Sequence, residues 1–129
     1  MDLPAEDHAF LRREGYDYDV FHESGMLCVH LKNVALPPGL NTATADILLR
    51  LEPLYPDAPP DMWWTAPAIT TFHGAAIPAT DIHETHRGQG WQRWSRHLPP
   101  QTWLSGIDSL ESYLTLIHTE LRIAAGVAA

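Results

Sequence analysis

The sequence predicts an α+β fold: a four-stranded antiparallel meander, preceded by a short helix and followed by a long irregular segment and a C-terminal helix. Three observations carry the prediction. Apolar and polar residues alternate with the period of a strand in successive runs between residues 16 and 51. A stripe with helical spacing, Ile107, Leu110, Leu114, Ile117, Leu121 and Ala124, occupies the last quarter of the chain. Between them runs Leu51-Glu52-Pro53-Leu54-Tyr55-Pro56-Asp57-Ala58-Pro59-Pro60-Asp61-Met62-Trp63-Trp64-Thr65-Ala66-Pro67, with five prolines and a Trp pair. Proline fixes φ and removes a donor, so Pro53, Pro56, Pro59 and Pro60 cannot share one helix or central strand. The residue before each is pushed toward extended geometry. The stretch is a stiff crossing between two strands, with Tyr55 turned inward and Asp57 and Ala58 at its outer turn.

Pro4 stands ahead of Ala5 to Glu14, where proline suits a first helical turn and Glu6 and Asp7 complement the dipole. Ala9, Phe10 and the stem of Arg13 give this helix a narrow apolar stripe, and Gly15 can close it. Tyr16 to His22 alternates aromatic or Val residues with Asp and predicts a strand. Glu23-Ser24-Gly25 is a hairpin connection into a second strand, Met26 to Asn33. There Leu27, Val29 and Leu31 share the better core face; Met26, Cys28, His30 and Lys32 share the other. Pro37-Pro38-Gly39-Leu40-Asn41 turns the chain. In the third strand, Ala45 to Leu51, residues Ala45, Ile47, Leu49 and Leu51 oppose Asp46, Leu48 and Arg50. Met62 to Thr65 is the fourth. A meander of this kind keeps one wet face and needs helices on the other. From Ala66 to Pro100 no regular structure is predicted; Gly74, Pro78, Gly88 and Gly90 punctuate a connection long enough to be functional or a packed excursion. Ser105-Gly106-Ile107-Asp108 has the form of a capping box, with Ser105 as N-cap and Asp108 at N3. The final helix is therefore predicted over Ser105 to Ala124.

At 129 residues the chain is most simply one domain, 1–129, large enough to bury roughly two thirds of its unfolded surface. A net charge of −8 excludes the basic footprint of a nucleic-acid binder and suits anionic membranes no better. No apolar run approaches membrane-spanning length. Met1 to Asp7 is acidic and lacks the apolar core of a signal peptide. One cysteine cannot form an internal disulfide, and a cytoplasmic location follows.

Tyr55-Pro56-x-x-Pro59-Pro60 between two strands resembles the YPxxPP segment of the E2 ubiquitin-conjugating (UBC) fold. Leu36-Pro37-Pro38-Gly39, Ala45 to Leu51, Tyr55 to Met62 and Trp91-Gln92-Arg93-Trp94-Ser95-Arg96-His97, in this order, resemble the bacterial group called prokaryotic E2 family E. The resemblance covers nearly the whole chain. It implies a UBC-like fold, and partnership with a ubiquitin-like protein and an E1-like (ThiF-type) activating protein. No cofactor is implied.

In E2 enzymes the segment after the fourth strand carries an HPN motif and then the thioester cysteine. Here the nearest match is Phe72-His73-Gly74, and Ala75 to His86 contains no cysteine. A thioester carrier needs a thiolate nucleophile. The E2-like reading is accordingly of a non-catalytic or non-canonical binding module. Cys28, the only thiol, lies mid-strand between Leu27 and Val29, where a small buried hydrophobe is expected. The alternative, a conjugating enzyme using Cys28, requires exposure and a lowered pKa, for which His30 on the same face is a candidate source.

Two further clusters have two readings each. His73, His83, His86 and His97 fall in or beside the irregular segment. If helical, Asp81-x-His83-Glu84-Thr85-His86 sets two imidazoles one turn apart, a spacing used in zinc sites; otherwise it is a solvated polar turn. If Trp91 to His97 is helical, Trp91 and Trp94 share a face. That pair either roofs the sheet or, with Arg93, Arg96 and His97, anchors a partner, since Trp and Arg dominate binding hot spots.

Overall fold

The computed structural model describes residues 2–126. The elements run α1 (Ala5–Arg13), β1 (Asp17–Glu23), β2 (Met26–Ala35), β3 (Thr44–Leu51), β4 (Trp63–Ala66), β5 (Ile82–His86), β6 (Gln89–Trp94) and α2 (Leu110–Ala124). All six strands form one antiparallel sheet in the order β1-β2-β3-β4-β6-β5. The expected meander is present as β1 to β4, but the sheet does not stop at four strands. Two more arise inside the segment expected to be irregular. Their turn is Arg87-Gly88, both at positive φ (52° and 72°), which matches the twist of a two-residue hairpin. An arginine at a left-handed position is an uncommon turn signal, and the flanking runs alternate too weakly to be seen as strands.

The inner face of the sheet carries the main core. Leu27, Val29 and Leu31 of β2 and Ile47, Leu49 and Leu51 of β3 are buried there. They pack beneath Leu110, Leu114, Ile117 and Leu121, the apolar stripe of α2. β4 and β6 add Trp63 and Trp94, whose rings stack at 5.7 Å and 18°. Beside them Gln92 is buried and bonded at both amide atoms: Oε1 accepts from Thr65 Oγ1 and the Ile69 amide, and Nε2 donates to the Ile69 carbonyl.

α2 starts four residues later than the Ser105 capping box implies: its N-cap is Ser109. Gly106 sits at φ 83°, and the Asp108 carboxylate accepts the Leu104 amide at 2.7 Å, so residues 104–108 close a turn of their own. Ser109 is the N-cap, with its amide donating to Ser112 Oγ at 3.0 Å. Ile107, assigned to the helical stripe, is consequently exposed. α1 also differs in its stripe: Ala9 is exposed, and Asp7, Phe10 and Leu11 face inward.

The crossing behaves as expected at its aromatic: Tyr55 is buried and Asp57 exposed. Trp103 Nε1 donates to the Pro56 carbonyl at 2.8 Å, and Ser105 Oγ donates to Asp57 Oδ1, so the turn before α2 docks on the crossing.

The outer face is not wet at its centre. Cys28, Leu48, Trp64 and Trp91 form a second apolar cluster there, flanked by Phe21, Met26 and Met62. The β5–β6 hairpin supplies the cover that the expected four-stranded sheet lacked.

Candidate functional site

The segment that would carry an E2 nucleophile is residues 67–81. Ile69 and Ile77 anchor it in the core, and Phe72 and His73 stand exposed on its turn, their rings edge to face at 5.2 Å. It presents no thiol. The chemistry-bearing side chains gather instead on the outer face of the sheet.

Register explains the gathering. Cys28 pairs with Arg50 across β2 and β3, Leu48 with Trp64 across β3 and β4, and Trp64 with Arg93 across β4 and β6. Period-2 alternation then puts all five on one face. The Arg50 guanidinium lies 5.8 Å from the centre of the Trp64 ring, and its Nε is enclosed without a hydrogen-bond partner. Trp64 Nε1 donates to Glu84 Oε1 at 2.8 Å. Glu84 is a hub: Arg93 Nη1 reaches Oε2 and His86 Nε2 reaches Oε1, each at 3.0 Å. A cavity of about 290 Å³ opens here, with Trp64, Met26, Met62 and Arg50 in its wall and Glu52, Asp61 and Glu84 around it. Pro59 of the crossing completes the rim.

Electrostatics follow from burial and these bonds. Burial pushes the Cys28 thiol up, and the Arg50 guanidinium offsets only part of the shift. Burial also pushes the Glu84 carboxyl up, but hydrogen bonds from His86, Trp64 and Arg93 outweigh it and hold the group below its ordinary value. Cys28 has no accessible surface at all. As folded, the site holds a protonated, enclosed thiol, the opposite of a reactive one.

The Trp-Arg-His cluster is arranged differently from a helix. It lies on β6 and its exit, so Trp91 and Trp94 point to opposite faces. Trp94 belongs to the main core and Trp91 to the outer cluster, where its Nε1 donates to the His86 carbonyl at 3.3 Å. The cations around them already have acidic neighbours: Arg93 has Glu84, Arg96 has Glu120 at 3.6 Å, and His97 has Asp61 at 2.7 Å. Arg96 also lies 5.1 Å over the Trp94 ring. The histidines are likewise on a strand and not on a helical turn. His83 and His86 face opposite sides of β5, one exposed and one buried. The described residues contain no group of three or more His, Cys, Asp or Glu placed to hold a metal ion.

Three residues escaped the sequence reading. Asp7 is buried and binds both Tyr55 and the start of α2. Glu84 and Arg50 read as ordinary surface charges. Only Arg50 carried a signal, as the cross-face neighbour of Leu49 and Leu51 in a strand that packs on both sides.

A YPxxPP crossing beside an antiparallel meander, with one long helix on its inner face, defines an E2-like domain. Residues 3–124 match the family described as Prokaryotic E2 family E, and the chain belongs to that family. Comparison with the curated proteins and with the solved structures gave no match. No helix among the described residues is long and apolar enough to cross a membrane.

Proposed function

We propose that residues 1–129 act as a non-catalytic E2-like module of a bacterial ubiquitin-like system, binding a ubiquitin-like protein or an E1-like (ThiF-type) partner without carrying a thioester. One observation carries this reading: the only thiol is enclosed beneath Trp64 and Trp91, with its pKa raised. Transthiolation needs a thiolate that a partner's active site can reach. A single unpaired thiol suits the reducing cytoplasm.

The partner surface in this reading is the exit of β6, where His97 is exposed and the mostly covered Arg93 and Arg96 reach the surface beside the buried Trp pair. These groups are already paired with Glu84, Glu120 and Asp61, so a partner would exchange one carboxylate for another. Such exchange favours specificity and association rate over affinity.

The test is to mix the protein with a co-encoded E1-like protein, ATP and the ubiquitin-like protein. The expected outcome is capture of a partner with no reductant-sensitive adduct on this chain. A shifted band on a non-reducing gel, lost with reductant and in Cys28→Ala, overturns the reading and makes Cys28 the conjugating nucleophile.

A further inference from the structure

Only one end of the β5–β6 hairpin belongs to the sheet's main ladder. Gln92, Arg93 and Trp94 pair with Thr65, Trp64 and Trp63, while β5 pairs with β6 alone. The other end crosses the outer face and arrives at β1, which the sheet order separates from β6 by β2, β3 and β4. There the Arg87 amide donates to Glu23 Oε2 at 2.7 Å, and the Arg87 guanidinium lies 4.2 Å over the Phe21 ring. His86 Nδ1 stands 3.6 Å from Glu23 Oε1. Between root and tip, the hairpin seats Trp91 on the cluster that holds Cys28.

The two ends are held by unequal means. The root is fixed by the buried Gln92 network and by the Trp63–Trp94 stack, which cannot be undone without opening the main core. The tip is held through β1 side chains, by the Arg87 amide on Glu23, one long ion pair and one cation–π contact; behind it stand the Trp64–Glu84 hydrogen bond and the edge contacts of His86 with Trp64 and of Trp91 with His30. Local opening is drawn from contacts of this second kind, which can be broken while the main core stays closed. We infer that the β5–β6 hairpin is a flap held shut by Glu23, and that Cys28 becomes reachable when the flap lifts with the rest of the fold intact. Lifting it removes Trp91 from Cys28 and leaves the thiol beside Arg50, whose Nε has no partner in the closed state.

The inference bears on the enclosure of Cys28 that carries the scaffold reading, but the two fail separately. A flap that never lifts leaves that reading intact, whereas a thioester on Cys28 defeats that reading and leaves the flap standing. The test is native-state labelling of Cys28 with a chromogenic disulfide reagent, across low urea concentrations and in two variants. Expected for the unaltered protein is a slow rate that stays flat in low urea, since a local opening exposes little surface. Glu23→Ala should label about tenfold faster and keep the flat region, with the urea midpoint lowered only by the matching ~1.4 kcal/mol, because the bond is lost from the closed state and from neither the lifted nor the unfolded one. Leu114→Ala should shift the midpoint and leave the flat region in place. A rate that climbs from the first addition of urea with the slope of global unfolding overturns the inference. So does Glu23→Ala labelling at the unaltered rate.

Discussion

The Tyr55 hydroxyl donates to Asp7 Oδ2 at 2.7 Å, while Oδ1 of the same carboxylate accepts the Leu110 amide at 3.1 Å. One buried side chain on α1 thus ties the crossing to the first residue of α2. It satisfies an amide that a helix N-terminus leaves orphaned and supplies the charge that end favours. Asp7→Ala strands a buried hydroxyl and a buried amide together, and should lower stability by about 2–5 kcal/mol. Glu6→Ala, one position away and exposed, should change it by less than about 0.5 kcal/mol. Urea unfolding of the two variants side by side checks the contrast, and equal midpoints would contradict it.

Tyr55 and Asp57 belong to the same crossing and should differ as sharply. Tyr55→Ala removes a buried ring and should cost about 3–5 kcal/mol. Asp57→Ala removes an exposed bond to Ser105 and should cost about 1 kcal/mol or less. Thermal midpoints that fall equally would show that the crossing is not held by its aromatic.

Alkaline pH should find the same tyrosine. Burial, and then the hydrogen bond and charge of Asp7, raise the Tyr55 pKa far above its ordinary value of 10.0; burial raises Tyr113 as well. A group whose folded pKa is raised contributes its full stability below the unfolded value, and that contribution drains as pH climbs toward the folded value. The unfolded chain releases these protons first. Stability should therefore fall above about pH 10, and Tyr55→Phe should flatten part of the fall. A Tyr55→Phe curve parallel to that of the unaltered protein would mean that this hydroxyl does not couple to folding.

Gly39 should tolerate no side chain. It adopts φ 106°, and a Cβ there would meet the carbonyl oxygen of Ala125 at the end of α2. Gly39→Ala combines backbone strain with a collision against main chain, and should lower stability by about 2 kcal/mol or more. Gly25→Ala, at φ 77° with open space around it, carries the strain alone and should cost about 1 kcal/mol. The difference between the two, read from urea midpoints, isolates the close approach of α2.

For the partner surface, the doubly reversed variant Arg93→Glu, Arg96→Glu should weaken capture of a ubiquitin-like or E1-like partner while a cooperative urea transition, at a lower midpoint, shows that the fold survives the loss of the pairs with Glu84 and Glu120. Undiminished capture would retire the β6 exit as the surface.

Much of the architecture was legible because burial writes a period into a strand or helix. Leu27, Val29 and Leu31, and likewise Ile47, Leu49 and Leu51, alternate against polar neighbours, and α2 repeats at three and four. The YPxxPP crossing was legible because proline states its own geometry. The hairpin was not, because β5 lies at the sheet's edge: Ile82, His83 and Thr85 are exposed, and a strand with little to bury shows little alternation. That miss propagated into the site. Once residues 89–94 are a strand, Trp91 and Trp94 part company, and His83 and His86 lose their common face. The two-sided burial at Cys28 was likewise invisible locally, since its cover comes from Trp64 and Trp91, 36 and 63 residues further along.

Four of the five tryptophans divide between the two sides of the sheet and make the molecule its own reporter. Trp63 and Trp94, stacked within the main core, are close enough for their indole transitions to couple, so their signature in the near-ultraviolet circular dichroism tracks the integrity of the interior. Trp64 and Trp91 sit edge-on to His86 and His30 instead, at 5.4 Å and 5.1 Å, where an imidazole can quench indole emission. The inner pair's dichroism and the histidine-quenched share of the emission are therefore separate channels in one unlabelled chain. A change in the first without the second is the optical mark of motion confined to one side of the sheet.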